Sequence, residues 1–543
     1  MKKPEMVSAT AAQLDELLAL AKLSFPQESY RLLEGVLETF AYVMLSLQNA
    51  KTSIKRLRQM LFGARTEHKR NVLKGHGGAE QTANGASEPP AASEATQAQG
   101  KQQAKPGAVG HGRNGAQAYR DSPVVELDVP ALKPGDPCPE CADGKVYDSP
   151  PKLIVKVVGQ PPLEATVYKL RRLRCRLCDA SFTAALPEGA SELKYEHSCA
   201  SMLALLRYGS GMPFYRLESL QASLNVPLPD ATQWDIVLKA VPGPRAAFEE
   251  LIRQGAQAQL LHNDDTPARI LSLMRERTEA EAAGKTPVAK AINTSGIVAE
   301  LQGRKMALFF TGHAHAGQNL AKVLAHRAKA LEPPMQMCDA LACNLTSEFA
   351  TVLGNCLSHG RRQFVDVLEH FPKECSHVIE VLARIYAEDA HCRAEKLSPE
   401  QRLAHHQASS AAPMQGLHQW MNEQFEQRQV EPNSGLGQAL RYMLKHWSEL
   451  TLFLRKAGAP LDNNICERAL KRAIRHRKNS LFFKTLKGAE VGDIYMSLIY
   501  TCQLGNVNPF AYLQALQIHA QEVLTRPALW MPWNYHEQMN RTA

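Results

Sequence analysis

The stretch QAQLLHNDDTPARILSLM, Gln257 to Met274, reads as a strand that ends on two aspartates, Asp264 and Asp265. The segments after it decide the fold. TSGIVAELQGRKMALFFTG (294–312) predicts two more strands, AGQNLAKVLAHRA (316–328) a helix, and PPMQMCDALAC (333–343) a short strand carrying Asp339. Adjacent strand residues face opposite ways, so Asp264 and Asp265 cannot both face one metal site. Further on, PLDNNICERALKRAIRHRKNSLFF (460–483) sets Glu467 at the head of a run holding Lys471, Arg472, Arg475, Arg477 and Lys478. A bland account makes Asn464 and Glu467 a capping box and Glu467–Lys471 an i,i+4 pair. A sharper one has the glutamate hold a metal ion while the basic residues hold a polyanion.

Three strands, a helix and a further strand, with aspartates at the ends of the first and fourth, is the order of the ribonuclease H-like fold, in which a later helix supplies a third carboxylate. Converging carboxylates suit hard cations such as magnesium, and two ions about 3.5–4 Å apart clamp the entering and leaving oxygens of a phosphoryl transfer. Isolated aspartates at strand ends are ordinary, so element order alone leaves the matter open.

At 543 residues the chain should hold several domains, because single cores stop growing near ~250–300 residues. Its 44% apolar content is globular, and a net charge of +9 leans toward a polyanionic partner. No run approaches the ~20 apolar residues of a membrane span, and the N-terminus lacks an uninterrupted signal-peptide core. The expectation is a cytoplasmic protein, whose twelve cysteines are thiols or metal ligands rather than a disulfide framework.

Composition marks the expected divisions. Residues 1–72 form an N-terminal helical region, where Leu33, Leu37, Phe40, Met44, Leu47 and Ile54 trace the seam of a coiled coil. A helix packed on its own chain would show the same spacing. Residues 73–118, rich in Ala, Gly, Gln and Ser, cannot bury enough surface to order themselves and read as a flexible linker. In 119–190, CPEC (Cys138, Cys141) and CRLC (Cys175, Cys178) are two knuckles separated by 33 residues. Four thiolates complete the tetrahedral shell of a structural zinc and leave no position for a substrate, which predicts a zinc ribbon. Such ribbons bind DNA or protein. Within an expected helical DNA-binding region at 191–255, Ser198 to Val241 read as three helices that would suit a helix-turn-helix with Thr232 near the start of the recognition helix, though helical hairpins also form for packing alone.

A core in two parts, 256–345 and 459–505, is then expected around an insertion at 346–458, with a tail at 506–543. Between Asp339 and Glu467 lie 127 residues that read as helices. At their start, NCLSHGRRQF sets Cys356 and His359 one helical turn apart, either a metal or bracing pair or a structural one, with Arg361 and Arg362 as phosphate contacts.

Several segments together resemble the insertion sequence 66 family of DDE transposases. LRQMLFGARTEHK is similar to that family's leucine-zipper tail, GHGRN to the start of its zinc segment, and GSGMPFYRLESLQASLNVPLPDATQWDIV to its helical DNA-binding stretch. LHNDDTP resembles the first aspartate motif, LDNNICERALKRAIRHRKNSLFF the glutamate motif, and NPFAYLQAL with MPWNY the C-terminal tail. The resemblance implies Asp264, Asp339 and Glu467 as catalytic ligands of magnesium or manganese. It also implies metal-dependent cleavage and strand transfer of DNA, and an assembly of two or more protomers on transposon ends, with accessory proteins of the same element a further expectation. CDALACN departs from the glycine and tyrosine usual after the second aspartate, and Asn263, Ile465 and Cys466 replace smaller residues. A decayed transposase that only binds DNA, and a nuclease without strand transfer, are the alternatives.

Overall fold

The structure, a computed structural model, describes residues 193–542 except 284–290, and only scattered stretches between 18 and 190. Cys138, Cys141, Cys175 and Cys178, the linker at 73–118 and the heptad seam beyond Leu33 lie outside the described residues. The chain divides into two units, Glu80–Pro162 and the remainder. Within the first, Gly135 N donates to Val146 O at 2.8 Å and Pro137 pairs antiparallel with Lys145. In the second, Arg172–Arg174 and Ser181–Thr183 form a short antiparallel hairpin.

A five-stranded mixed sheet anchors the second unit. Its strands are β1 (Leu260–Pro267), β2 (Asn293–Leu301), β3 (Arg304–Gly312), β4 (Met335–Cys338) and β5 (Val352–Asn355), in the order β3-β2-β1-β4-β5. β1 runs antiparallel to β2, and β2 to β3, whereas β4 and β5 run parallel to β1. Ile297, Val298, Leu308 and Phe309 are fully buried, so β2 and β3 read as apolar runs rather than alternating ones.

The helices, in chain order, begin with α1 (His197–Ala204), α2 (Phe214–Ser223), α3 (Asp230–Lys239) and α4 (Pro242–Gly255). α5 (Leu271–Ala282) follows β1, and α6 (Ala316–Leu324) joins β3 to β4. After β5 come α7 (Leu357–Val367), α8 (Pro372–Ala394), α9 (Pro399–Ser409), α10 (Ala411–Glu426) and α11 (Gly435–Lys445). The chain then returns to the sheet with α12 (Asn464–Ser480) and α13 (Leu486–Leu504), and α14 (Pro509–Ile518) closes the core.

Two large apolar cores result among the described residues, beside a small cluster of Ile270, Phe483 and Ala489. Leu203, Leu217, Val237 and Leu251 from α1–α4 join Ile297 and Leu308 of the sheet and Tyr495, Leu498 and Leu516 of the last helices. α1–α4 and the described tail after 506 thus share one core with the sheet. Phe364, Leu382, Met414, Met421 and Leu440 of α7–α11 form a second core with Met335 and Met337 of β4. β5 falls within the 346–458 stretch read from sequence as wholly helical, so the helical insertion begins after Asn355. Four residues are too few for alternation to register.

The free edge of the sheet is covered in an uncommon way. Ala307, Phe309 and Thr311 of β3 point their amides away from β2, where an edge strand would face water or another chain. α13 meets them one turn at a time. Thr501 Oγ1 accepts from Ala307 N at 3.0 Å, Ser497 Oγ from Phe309 N at 2.9 Å and Asp493 Oδ2 from Thr311 N at 2.6 Å. Two strand residues advance about 6.8 Å and four helical residues about 6 Å, which lets the two ladders stay in register for three steps.

Candidate active site

β1 brings its polar side chains to opposite faces. Asp265 Oδ1 accepts from Ser295 Oγ at 2.7 Å, and Asp265 Oδ2 from Ala316 N at the start of α6 at 3.0 Å. His315 Nδ1 lies 3.0 Å from the same Oδ2. Asp265 therefore holds the amino end of α6, while Asp264 faces the other way.

Asp264 Oδ1 accepts from Asp265 N at 2.8 Å and from Asn344 Nδ2 at 3.3 Å. The same Asn344 nitrogen donates to Asp339 Oδ1. One amide therefore bridges the two carboxylates, which stand just past the last paired residues of two neighbouring parallel strands. Asp264 is pushed up to about 7, first by burial and then by the Asp339 charge, with Glu467 adding to it and the two hydrogen bonds opposing. The like charges that help raise Asp264 are what a bound cation would relieve. The donors are all carboxylate oxygens, the set that magnesium or manganese takes and zinc does not prefer.

Glu467 projects from the first turn of α12. The capping box suggested by Asn464 does not form: Asn463 is the cap, without a side-chain cap bond. Its amide serves the sheet instead. Asn463 Nδ2 donates to Asn263 O at 3.0 Å, its Oδ1 lies 3.0 Å from His262 Nδ1, and its backbone N donates to Cys356 Sγ at 3.2 Å. β1, α7 and α12 are tied together at this one buried residue. From α7, His359 Nδ1 sits 3.8 Å from Glu467 Oε1, and that nitrogen is buried with no hydrogen-bond partner. Cys356, one turn earlier, is buried, and burial pushes its thiol up to about 12. The Cys356, His359 and Glu467 ligand atoms all lie within 4.8 Å of one another.

The basic run splits by contact. Arg472 donates to Gly209 O at 3.2 Å and to Gln503 Oε1, and its guanidinium stacks 4.4 Å from the Tyr500 ring centroid. Arg477 donates to Thr266 Oγ1 at 3.2 Å and to Pro267 O. Both brace the sheet and its surroundings. Lys471, Arg475 and Lys478 are exposed on α12. His476 is stacked on Phe483, with burial lowering its pKa to about 3, so it adds no charge. On α7, Arg361 is half-buried and Arg362 exposed. Thr232 of α3 lines a cavity of about 510 Å³ with Lys194, Glu196, Asp235 and Lys239.

Two residues central to this geometry carry no signal in the sequence. Asn344 and Asn463 act 80 and 200 positions away, on Asp264 and Asn263, and nothing local distinguishes them from loop asparagines. Glu467 in its basic helix is the opposite case.

The profile of the Transposase IS66 family matches residues 193–491, more than half of the chain. The chain belongs to the Transposase IS66 family. Two similar proteins come from Sinorhizobium fredii (strain NBRC 101917 / NGR234), and both are described as uncharacterized. The protein y4jD is 24% identical over 353 residues, 62% of this chain and 65% of that protein. The protein y4hP is 22% identical over 436 residues, 76% of this chain and 75% of that one. The chain thus spans just under two thirds of the first relative's length. No solved structure matches. Asp264, Asp339, Glu467 and the basic face of α12 all fall within the family stretch, whereas the four knuckle cysteines precede it. No helix among the described residues is long and apolar enough to cross a membrane.

Proposed function

We propose that the chain is a DNA transposase whose sheet is a ribonuclease H-like core and whose Asp264, Asp339 and Glu467 carry metal-dependent cleavage and strand transfer. The observation that supports this most is the Asn344 amide shared by Asp264 and Asp339, with the Glu467 charge felt at Asp264. The three carboxylates would hold magnesium or manganese, which when bound lowers the pKa of the attacking water or hydroxyl and neutralises charge on the phosphodiester. Asn344 keeps the aspartates in register, and Asn463 fixes where α12 begins and so where Glu467 stands. Lys471, Arg475 and Lys478 hold the DNA backbone beside them, with Arg361 and Arg362 approaching from α7, while Arg472 and Arg477 keep the basic helix in place. Water attacks the phosphodiester at each transposon end and the 3′ oxygen leaves, taking a proton. That 3′ hydroxyl then attacks a target phosphodiester in line, joining to the 5′ phosphate and releasing a target 3′ hydroxyl, with no covalent bond to protein.

The four cysteines would hold a structural zinc, and the ribbon with α1–α4 would read the ends. The N-terminal seam would pair two protomers so that both ends are held together, in the cytoplasm and with accessory proteins of the same element where needed.

The test uses labelled transposon-end duplexes with magnesium. Asp264→Asn, Asp339→Asn and Glu467→Gln should each lose both cleavage and joining while end binding persists, because each keeps side-chain size but removes a charge the cation needs. Asp265→Asn should stay active below a lowered unfolding temperature, since it weakens the hold on α6 and leaves the three carboxylates in place. Activity surviving in Glu467→Gln would sink the proposal. Cleavage without joining by the parent chain would make it a nuclease, and end binding alone a DNA-binding protein.

A further inference from the structure

We propose that Asp265, His315 and Cys343 form a binding site for one zinc-class divalent cation, separate from the Asp264, Asp339 and Glu467 carboxylates. One ligand atom from each, Asp265 carboxylate oxygen, His315 ring nitrogen and Cys343 Sγ, lies within 4.8 Å of the other two. They converge from three elements: β1, the residue before α6, and the short turn Ala342–Asn344 after β4. A thiol, an imidazole and one carboxylate make a borderline-soft set that selects zinc or cobalt over magnesium. With metal–ligand bonds of about 2.0–2.3 Å, tetrahedral ligands stand about 3.3–3.8 Å apart, so closure needs a shift of no more than about 1.5 Å. Asn344 pins the turn that carries Cys343, but Cys343 itself is exposed, so rotation of its side chain is the movement open to it.

The first two ligands are already oriented. Ser295 Oγ and Ala316 N hold the Asp265 carboxylate, the outer-sphere support that ligating carboxylates need. His315 is 40% exposed and Asp265 13%, which leaves a path for the ion and room for a water as fourth ligand. Binding through His315 Nδ1 moves the ring proton to Nε2 in place of the hydrogen bond to Asp265, displaces the 3.3 Å contact from Asn293 Nδ2, and releases the Cys343 thiol proton to solvent. The rival trio Cys356, His359 and Glu467 is less suited, because the Cys356 sulfur is buried and already accepts from Asn463 N. Cys343 also adjoins Asn344, the donor shared by Asp264 and Asp339, so an ion here has a route to that pair. The site itself does not depend on the catalytic reading.

The full chain, parent and Cys343→Ser, is titrated with Co²⁺ alone, following thiolate-to-cobalt absorption and ions bound per chain. The parent should bind one more Co²⁺ than Cys343→Ser, with a matching loss of absorption and unchanged thermal unfolding. His315→Gln should weaken that last ion at least tenfold while keeping the thiol, and Cys356→Ser should leave it in place. Equal stoichiometry and absorption in parent and Cys343→Ser would overturn the site, leaving Asp265 and His315 as a helix-holding pair only. Loss of the ion in Cys356→Ser but not in Cys343→Ser would overturn it in favour of the rival trio.

Discussion

Gly296→Ala probes how α12 rests on the sheet. A Cβ at Gly296 in β2 would lie 2.9 Å from Leu470 Cδ2, 3.0 Å from Leu470 Cγ and 3.5 Å from Cys466 Sγ. Leu470 is 3% exposed and cannot swing aside, so the helix itself must lift by a few tenths of an ångström. Overpacking of this kind costs about 1–3 kcal/mol. For roughly 350 residues unfolding together the entropy is about 0.7 kcal/mol/K, so the melting temperature should fall by about 1–4 °C. Activity should suffer more. Leu470 is one turn from Glu467 on the same helix, and since about 1 Å of misplacement can cost 100-fold, a three- to tenfold loss is expected at 25 °C, where the variant is still folded. Leu470→Ala alone should cost about 2–5 kcal/mol by leaving a cavity. The double variant should be about 1–2 kcal/mol more stable than the sum of the singles, because the new methyl fills part of that cavity. Calorimetry of the four proteins beside an end-cleavage assay measures both effects. Additivity within about 0.5 kcal/mol would refute the claim that Gly296 sets the seat of α12.

Asp493 is buried against β3, and burial raises its carboxyl to about 7 against the hydrogen bonds from Thr311. The folded chain thus keeps a proton that the unfolded chain gives up, so stability falls as pH rises from about 4 to about 7 and is level above. Asp493→Asn should flatten melting temperature against pH across that window, leaving the part due to Asp264; an unchanged slope would show that Asp493 is charged in the fold. Replacing Lys471, Arg475 and Lys478 together with alanine should reduce the salt dependence of end binding by about three phosphate contacts with little change in melting temperature. A lost fold with an intact salt slope would make them structural. Cys138→Ser with Cys141→Ser should lower the tightly held zinc of the full chain by about one ion, as a four-thiolate site requires; unchanged zinc content would place the metal elsewhere.

The first three strands, α6 and the strand before Asp339 were legible because apolar runs of the right length are bounded by turn residues. β5 was not: Val352–Asn355 is short and owes its strand state to pairing with β4. α5 was missed because Leu271–Ala282 buries no residue and carries no apolar stripe. The three helices of 191–255 were read as a separate region, since a sequence does not say which surface a helix will bury; Tyr495 Oη donating to Val237 O at 3.2 Å joins residues 258 apart. At the site, acidic residues in a strand and a basic helix announced themselves. The asparagines that position them did not, because their partners are chosen by the fold.

The cover on β3 also sets a schedule. Thr501, Ser497 and Asp493 lie 194, 188 and 182 residues after the amides they satisfy. At synthesis rates of about 5–20 residues per second, β3 leaves the ribosome roughly 10–40 s before α13 exists to shield it. For that interval three unpaired amides on an apolar strand invite pairing with another nascent chain. Slow translation or crowded polysomes should therefore penalise the yield of soluble protein more than the stability of the finished fold would suggest, and holdase chaperones acting on chains that end before Asp493 should recover it.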